Sequence, residues 1–130
     1  MAEREPGSSS LLLVEDNEDL LSSMVRLLQG RYHILQARNG VEALAVLEKE
    51  EVNLIVSDIM MPEMNGYEAA KAIRAMNDRP DGKNIPIIAM TANSFAEDVQ
   101  ASLDAGMNAH LSKPIVIDEV IKTILRYVYN

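Results

Sequence analysis

Four short stretches hold side chains that could bind a cation or handle a charged group: Glu15-Asp16, Asp58, Thr91 and Ser112-Lys113-Pro114. Each follows an apolar run, namely Leu11 to Val14, Leu54 to Val56, Ile87 to Met90, and a shorter piece around Ala109 and Leu111. In an open α/β sheet, ligands sit outside the carboxyl ends of the strands. If the runs are parallel strands, three carboxylates, a hydroxyl and an ammonium converge on one edge. Singly, each has a plainer explanation: Asp16 or Asn17 can cap a helix, Thr91 can be a loop hydroxyl, and Lys113 a solvated charge. Together, three acids in one crevice repel one another and raise their pKa values unless a cation neutralises them. Oxygen donors with room for water point to Mg2+, held by two carboxylates and a backbone carbonyl. A carboxylate beside Mg2+, with a lysine and a threonine nearby, can accept a phosphoryl group, because the cations offset charge gathered in the transition state.

The elements that must position these groups are legible in the patterning. Runs without alternation are strands buried on both faces, whereas Tyr32 to Ala37 alternates as a strand nearer a sheet edge does. Ile117, Val120, Ile121, Ile124, Leu125 and Val128 share one helical face, and Leu20, Met24, Leu27 and Leu28 do the same in the first helix. Asn39 with Glu42, Asn65 with Glu68 and Ser94 with Glu97 each place a capping residue three positions before a carboxylate. Pro80-Asp81-Gly82 marks a loop before Pro86 opens the next strand. Five repeats of strand then helix imply a parallel sheet with helices on both faces and right-handed crossovers.

The 130 residues are one domain's worth. With 48% hydrophobic and 25% charged residues, the composition is that of a folded domain. Twelve basic against twenty acidic residues give a formal charge of -8, the wrong sign for direct binding to nucleic acid or an anionic membrane. The absence of cysteine excludes disulfides, thiol catalysis and iron–sulfur clusters. His33 and His110 are far apart and lack zinc-site spacing. Residues 1–10, with no apolar segment, read as a flexible leader or interdomain linker ahead of a cytoplasmic domain spanning 11–130.

Four motifs in order resemble the receiver domain of two-component response regulators. They are Leu-Leu-Leu-Val-Glu-Asp-Asn-Glu at 11–18, Ser-Asp-Ile-Met-Met-Pro-Glu-Met-Asn-Gly-Tyr-Glu at 57–68, Met-Thr-Ala-Asn at 90–93 and Leu-Ser-Lys-Pro-Ile at 111–115. The resemblance implies a flavodoxin-like doubly wound (βα)5 fold with strand order 2-1-3-4-5. It implies that Asp58 takes a phosphoryl group from a phosphohistidine, so that the domain phosphorylates and dephosphorylates itself. Asp16 and Asp58 would bind Mg2+ directly with the Met60 carbonyl, and Glu15 would act through water. Lys113 would pair with a phosphoryl oxygen, Thr91 would turn inward to another, and Ala92 would offer a backbone N–H. Lys113-Pro114 resembles the family's cis peptide, which an X-Pro bond permits and which would aim the ammonium inward. Met60 and Asn93 stand where the family tunes the lifetime of the aspartyl phosphate, and the apolar Met60 points to slow hydrolysis.

His110 stands where many receivers carry Tyr or Phe as a rotameric switch. Its two readings are a half-buried polar residue on an edge strand, or a weaker, pH-sensitive switch. The stretches Thr91 to Asp98 and Ala105 to Pro114 resemble receivers of hybrid sensor histidine kinases, so the parent would be such a kinase. The implied partners are a histidine kinase phosphohistidine domain or a histidine phosphotransfer protein, met by a monomer or a weak, phosphorylation-dependent dimer whose helix 4/strand 5 surface switches. Three other functions compete. A haloacid-dehalogenase-type phosphatase needs a second Asp where Met60 stands. A dinucleotide or flavin site needs a glycine-rich loop where Glu15 to Asp19 stand. A phosphorylation-independent interaction module is the third, and the intact set Glu15, Asp16, Asp58, Thr91 and Lys113 argues against it.

Overall fold

The computed structural model describes residues 9–59, 66–76, 84–91 and 96–128, and side chains there except those of 96–99 and 128. Strands β1 (Ser10–Val14), β2 (His33–Ala37), β3 (Leu54–Asp58), β4 (Ile87–Thr91) and β5 (Ala109–Ser112) alternate with helices α1 (Glu18–Leu28), α2 (Gly40–Lys49), α3 (Gly66–Arg74), α4 (Ala96–Asp104) and α5 (Ile117–Val128). The strands form one parallel sheet in the order β2-β1-β3-β4-β5, as expected. All their carboxyl ends therefore lie on one edge.

The unbroken apolar runs follow from burial on both faces. Leu11, Leu13, Leu54, Val56, Ile88 and Met90 pack with Leu21, Met24 and Leu28 of α1 and Val120 and Ile124 of α5. Leu12, Val14, Ile55, Ile87 and Ala89 pack on the opposite face with Ala43 and Leu47 of α2 and Ala70 and Ile73 of α3. Successive residues of a strand point to opposite faces, so a strand covered twice has no polar side. β2, at an edge, keeps exposed His33 and Gln36.

Two expectations are corrected. The expected leader or linker over 1–10 includes Ser10, but Ser9 and Ser10 are buried and Ser10 opens β1 opposite His33. The backbone there is tied down: the Ser10 N–H donates to Asn53 Oδ1 at 2.8 Å, and the Ser9 carbonyl accepts the His33 N–H at 2.8 Å. In α1 the buried stripe is Leu21, Met24 and Leu28, with Leu20 half-buried and Leu27 55% exposed. Leu27 lies a 100° step from Leu28, and that carries it off the face that meets the sheet. Leu125 of α5 is likewise exposed, and the Val128 side chain lies outside the described residues.

The cap at Asn39 is as read: its side chain accepts the Glu42 N–H at 2.8 Å, and Glu42 reaches back to the Arg38 N–H at 3.0 Å. Asn65, Ser94 and the 80–83 loop lie outside the described residues. Among the described residues, no helix is long and apolar enough to cross a membrane.

Candidate active site

β1 ends at Val14, and the chain passes through Glu15 and Asp16 before Asn17 caps α1 by accepting the Leu20 N–H at 3.1 Å. Asn17 is the cap, so Asp16 is not used for that purpose and remains exposed. Glu15 is buried, its N–H donating to the Ala37 carbonyl at 3.0 Å and its Oε2 accepting the Asn17 N–H at 3.0 Å. Asp58 is the last residue of β3, opposite Met90, and is buried. Thr91, also buried, closes β4 opposite Ser112, and its carbonyl accepts the Lys113 N–H at 2.8 Å. The Lys113-Pro114 peptide is cis, as the resemblance implied.

The geometry joins the acids and the lysine. Carboxylate oxygens of Glu15, Asp16 and Asp58 lie within 4.8 Å of one another. The Lys113 Nζ stands 3.2 Å from Glu15 Oε1 and 3.2 Å from Asp58 Oδ1. Among the described residues, three carboxylates thus face one ammonium, and their balance is negative. Glu15 Oε1 is buried and within ion-pair reach of the ammonium, yet among the described residues no hydrogen bond is aligned on it. A buried carboxylate oxygen lacking a hydrogen bond among the described residues and two neighbouring carboxylates, one of them exposed to water, form a hard, all-oxygen donor set. That set fits Mg2+.

Burial pushes the Glu15 carboxyl above its usual 4.5, and Asp58 adds to this, outweighing the Asn17 N–H and Lys113, which pull it down. Burial alone would lower Lys113 from 10.5, but Asp58 and Glu15 reverse this and hold the ammonium above it. The signs decide the pH windows. A raised folded-state pKa contributes stability below the unfolded value and loses it as pH rises through the folded value. For Glu15 that loss begins in the acid range, so at neutral pH its ionised form works against the cation-free fold. For Lys113 the loss comes only in the alkaline range, so its contribution is intact at neutral pH. We expect Glu15→Gln to raise the melting temperature at pH 7 in EDTA and to shrink the further rise on adding Mg2+, both checked by differential scanning calorimetry. A lower melting temperature in EDTA would contradict this.

Among the described residues, His110 falls outside this cluster. His110 is exposed on β5, opposite Ala89. The half-buried alternative for it is corrected, because Ala109 and Leu111 point into the core and strand alternation turns His110 outward. Met60, Ala92 and Asn93 lie outside the described residues. Two residues at the site were not singled out from the sequence. Ser57 donates its hydroxyl to the Asp58 carbonyl at 2.9 Å. Gly66 opens α3 so close to β3 that a Cβ there would stand 2.5 Å from the Asp58 carbonyl oxygen and 2.9 Å from Ile59 Cα. The available signals were a lone hydroxyl after an apolar run and a glycine at a helix start.

Comparison with known proteins agrees with the geometry. The family model of the response regulator receiver domain matches residues 11–125. The sensor histidine kinase RcsC of Escherichia coli (strain K12) is 36% identical over 126 residues, covering 88% of this chain but 13% of that protein. The polar-differentiation response regulator DivK of Brucella anthropi is 34% identical, covering 91% of this chain and 94% of that protein. The receiver domain of sensor histidine kinase PA1611 from Pseudomonas aeruginosa PAO1, solved with a magnesium ion in its active-site cleft, superposes with a TM-score of 0.81 at 32% identity, covering 95% of this chain and 100% of that one. With its strand order, its acid trio and these matches, the chain belongs to the response regulator receiver domain family.

Proposed function

We propose that this domain accepts a phosphoryl group on Asp58 from a phosphohistidine within a two-component phosphorelay. One observation carries the reading: the Lys113 ammonium sits 3.2 Å from both Glu15 and Asp58 at the carboxyl edge of the sheet, with Asp16 completing the acid trio. Glu15, Asp16 and Asp58, with the Met60 carbonyl, would hold Mg2+, which when bound supplies charge neutralisation for the transferring group.

An Asp58 carboxylate oxygen forms a bond to phosphorus as the phosphorus–nitrogen bond of the donor imidazole breaks, its electron pair leaving on nitrogen. Lys113 exchanges a carboxylate for a phosphoryl oxygen, and Thr91 turns its hydroxyl to another, with the Ala92 N–H beside it. The added charge then shifts the population of α4 and β5, whose outer surface carries exposed His110 as the switch residue. The 36% identity to a sensor histidine kinase supports placement within a hybrid kinase, and a cytoplasmic location is part of the same proposal. The partners are then a kinase phosphohistidine domain or a histidine phosphotransfer protein, met by a monomer or a weak, phosphorylation-dependent dimer.

Incubation with acetyl phosphate and Mg2+, followed by intact mass measurement, tests this. The expected result is the mass of one phosphoryl group, absent when EDTA replaces Mg2+. No addition from acetyl phosphate and none from a phosphorylated histidine domain would overturn it in favour of a phosphorylation-independent interaction module.

A further inference from the structure

Ser57 is a hydroxyl buried to 3% exposure at the end of an otherwise apolar strand, one residue before the acceptor. Burying a hydroxyl is unfavourable unless it is hydrogen-bonded. This one donates to the Asp58 carbonyl at 2.9 Å. That carbonyl lies where the ladder runs out, because the pairing of β3 with β1 ends one residue earlier, at Val14 and Ser57. Gly66 crowds the same oxygen closely enough to exclude a Cβ. The N–H of the same peptide, that of Ile59, donates to the Met90 carbonyl at 3.2 Å, and the Ile59 carbonyl accepts the Gly66 N–H at 2.9 Å. The peptide leaving Asp58 is therefore bonded at both its oxygen and its N–H. Turning it would swing the carboxylate away from the Lys113 Nζ that it meets at 3.2 Å.

We propose that Ser57 is a positioning residue for phosphoryl transfer, fixing the backbone at Asp58 through its hydroxyl so that the carboxylate is held in line for the donor. It touches neither phosphorus nor cation and acts through Asp58, so the proposal rests on the phosphoacceptor reading.

The test measures rates of phosphoryl uptake over a range of acetyl phosphate concentrations, with Mg2+ saturating, for wild type, Ser57→Ala, Ser57→Cys and Ser57→Thr, beside circular-dichroism melts. Cysteine keeps the volume with a weak donor, and it carries the test if alanine does not fold. The folded alanine or cysteine variant should lower the saturated rate about 10-fold while the half-saturating donor concentration stays within about 2-fold. Threonine, which keeps the hydroxyl, should restore the rate. A folded alanine or cysteine variant as fast as wild type, or a folded threonine variant as slow as they are, would overturn the positioning role alone. A wild-type chain that takes up nothing from acetyl phosphate and nothing from a phosphorylated histidine domain would overturn the phosphoacceptor reading and this proposal with it.

Discussion

Asp58→Asn should take up no phosphoryl group from acetyl phosphate or from a phosphorylated histidine domain, under conditions where the wild-type chain takes up one. The amide is neutral and a poor nucleophile, so the loss should be complete rather than graded. Misfolding should not be the reason. Asp58 is a like charge beside buried Glu15 and adds to the rise of its pKa. Replacing it with asparagine removes that repulsion and leaves Lys113 to Glu15, 3.2 Å away. The variant should therefore melt at or above the wild-type temperature in EDTA while failing to gain phosphoryl mass. A variant that melts normally and still gains one phosphoryl group would place the acceptor elsewhere.

Gly66→Ala should unsettle both fold and site. Elsewhere in a helix the change would be favourable by about 1 kcal/mol of propensity. At this position the new Cβ would meet the Asp58 carbonyl oxygen at 2.5 Å and Ile59 Cα at 2.9 Å. Both are backbone atoms tied to β4, so neither can swing aside as a flexible side chain would, and α3 must be displaced. Overpacking typically costs about 1–3 kcal/mol, and an approach of 2.5 Å to backbone belongs at the upper end, which outweighs the propensity gain. For a domain of this size the melting temperature should fall by roughly 10 °C. Displacing α3 strains the hydrogen bond from the Gly66 N–H to the Ile59 carbonyl, one residue past Asp58, and should also weaken Mg2+ binding, read as a smaller melting-temperature increment on adding the ion. An unchanged melting temperature and increment would show that the close approach does not hold in solution.

What could be read in advance follows from which forces are local. The strands at Leu11, Leu54 and Ile87 were legible because burial on two faces writes an unbroken apolar run. The cap at Asn39 was legible because its partner Glu42 is three residues away. The acids and Lys113 were legible as a set because a parallel sheet sends the carboxyl ends of its strands to one edge. Other features depend on register and close approach, which sequence spacing does not encode. Ser10 joins β1 because the Asn53 side chain, 43 residues on, bonds its N–H. Leu27 fits an apolar stripe in the sequence, but its 100° step from Leu28 carries it off the face that meets the sheet and leaves it exposed. His110 points outward because Ala109 and Leu111 take the inner face of β5. Ser57 and Gly66 gain their roles only once Asp58 is placed between them.

The central claim is that Asp58 itself carries the phosphoryl group. Borohydride reduces an acyl phosphate to an alcohol, so an aspartyl phosphate at this position becomes homoserine and leaves a permanent mark. The phosphorylated chain is reduced, digested and sequenced by tandem mass spectrometry, beside a sample held in EDTA. Homoserine is expected at position 58, only in the sample that received both donor and Mg2+. Homoserine at another aspartate, or phosphoryl mass that leaves no reduced residue, would contradict it.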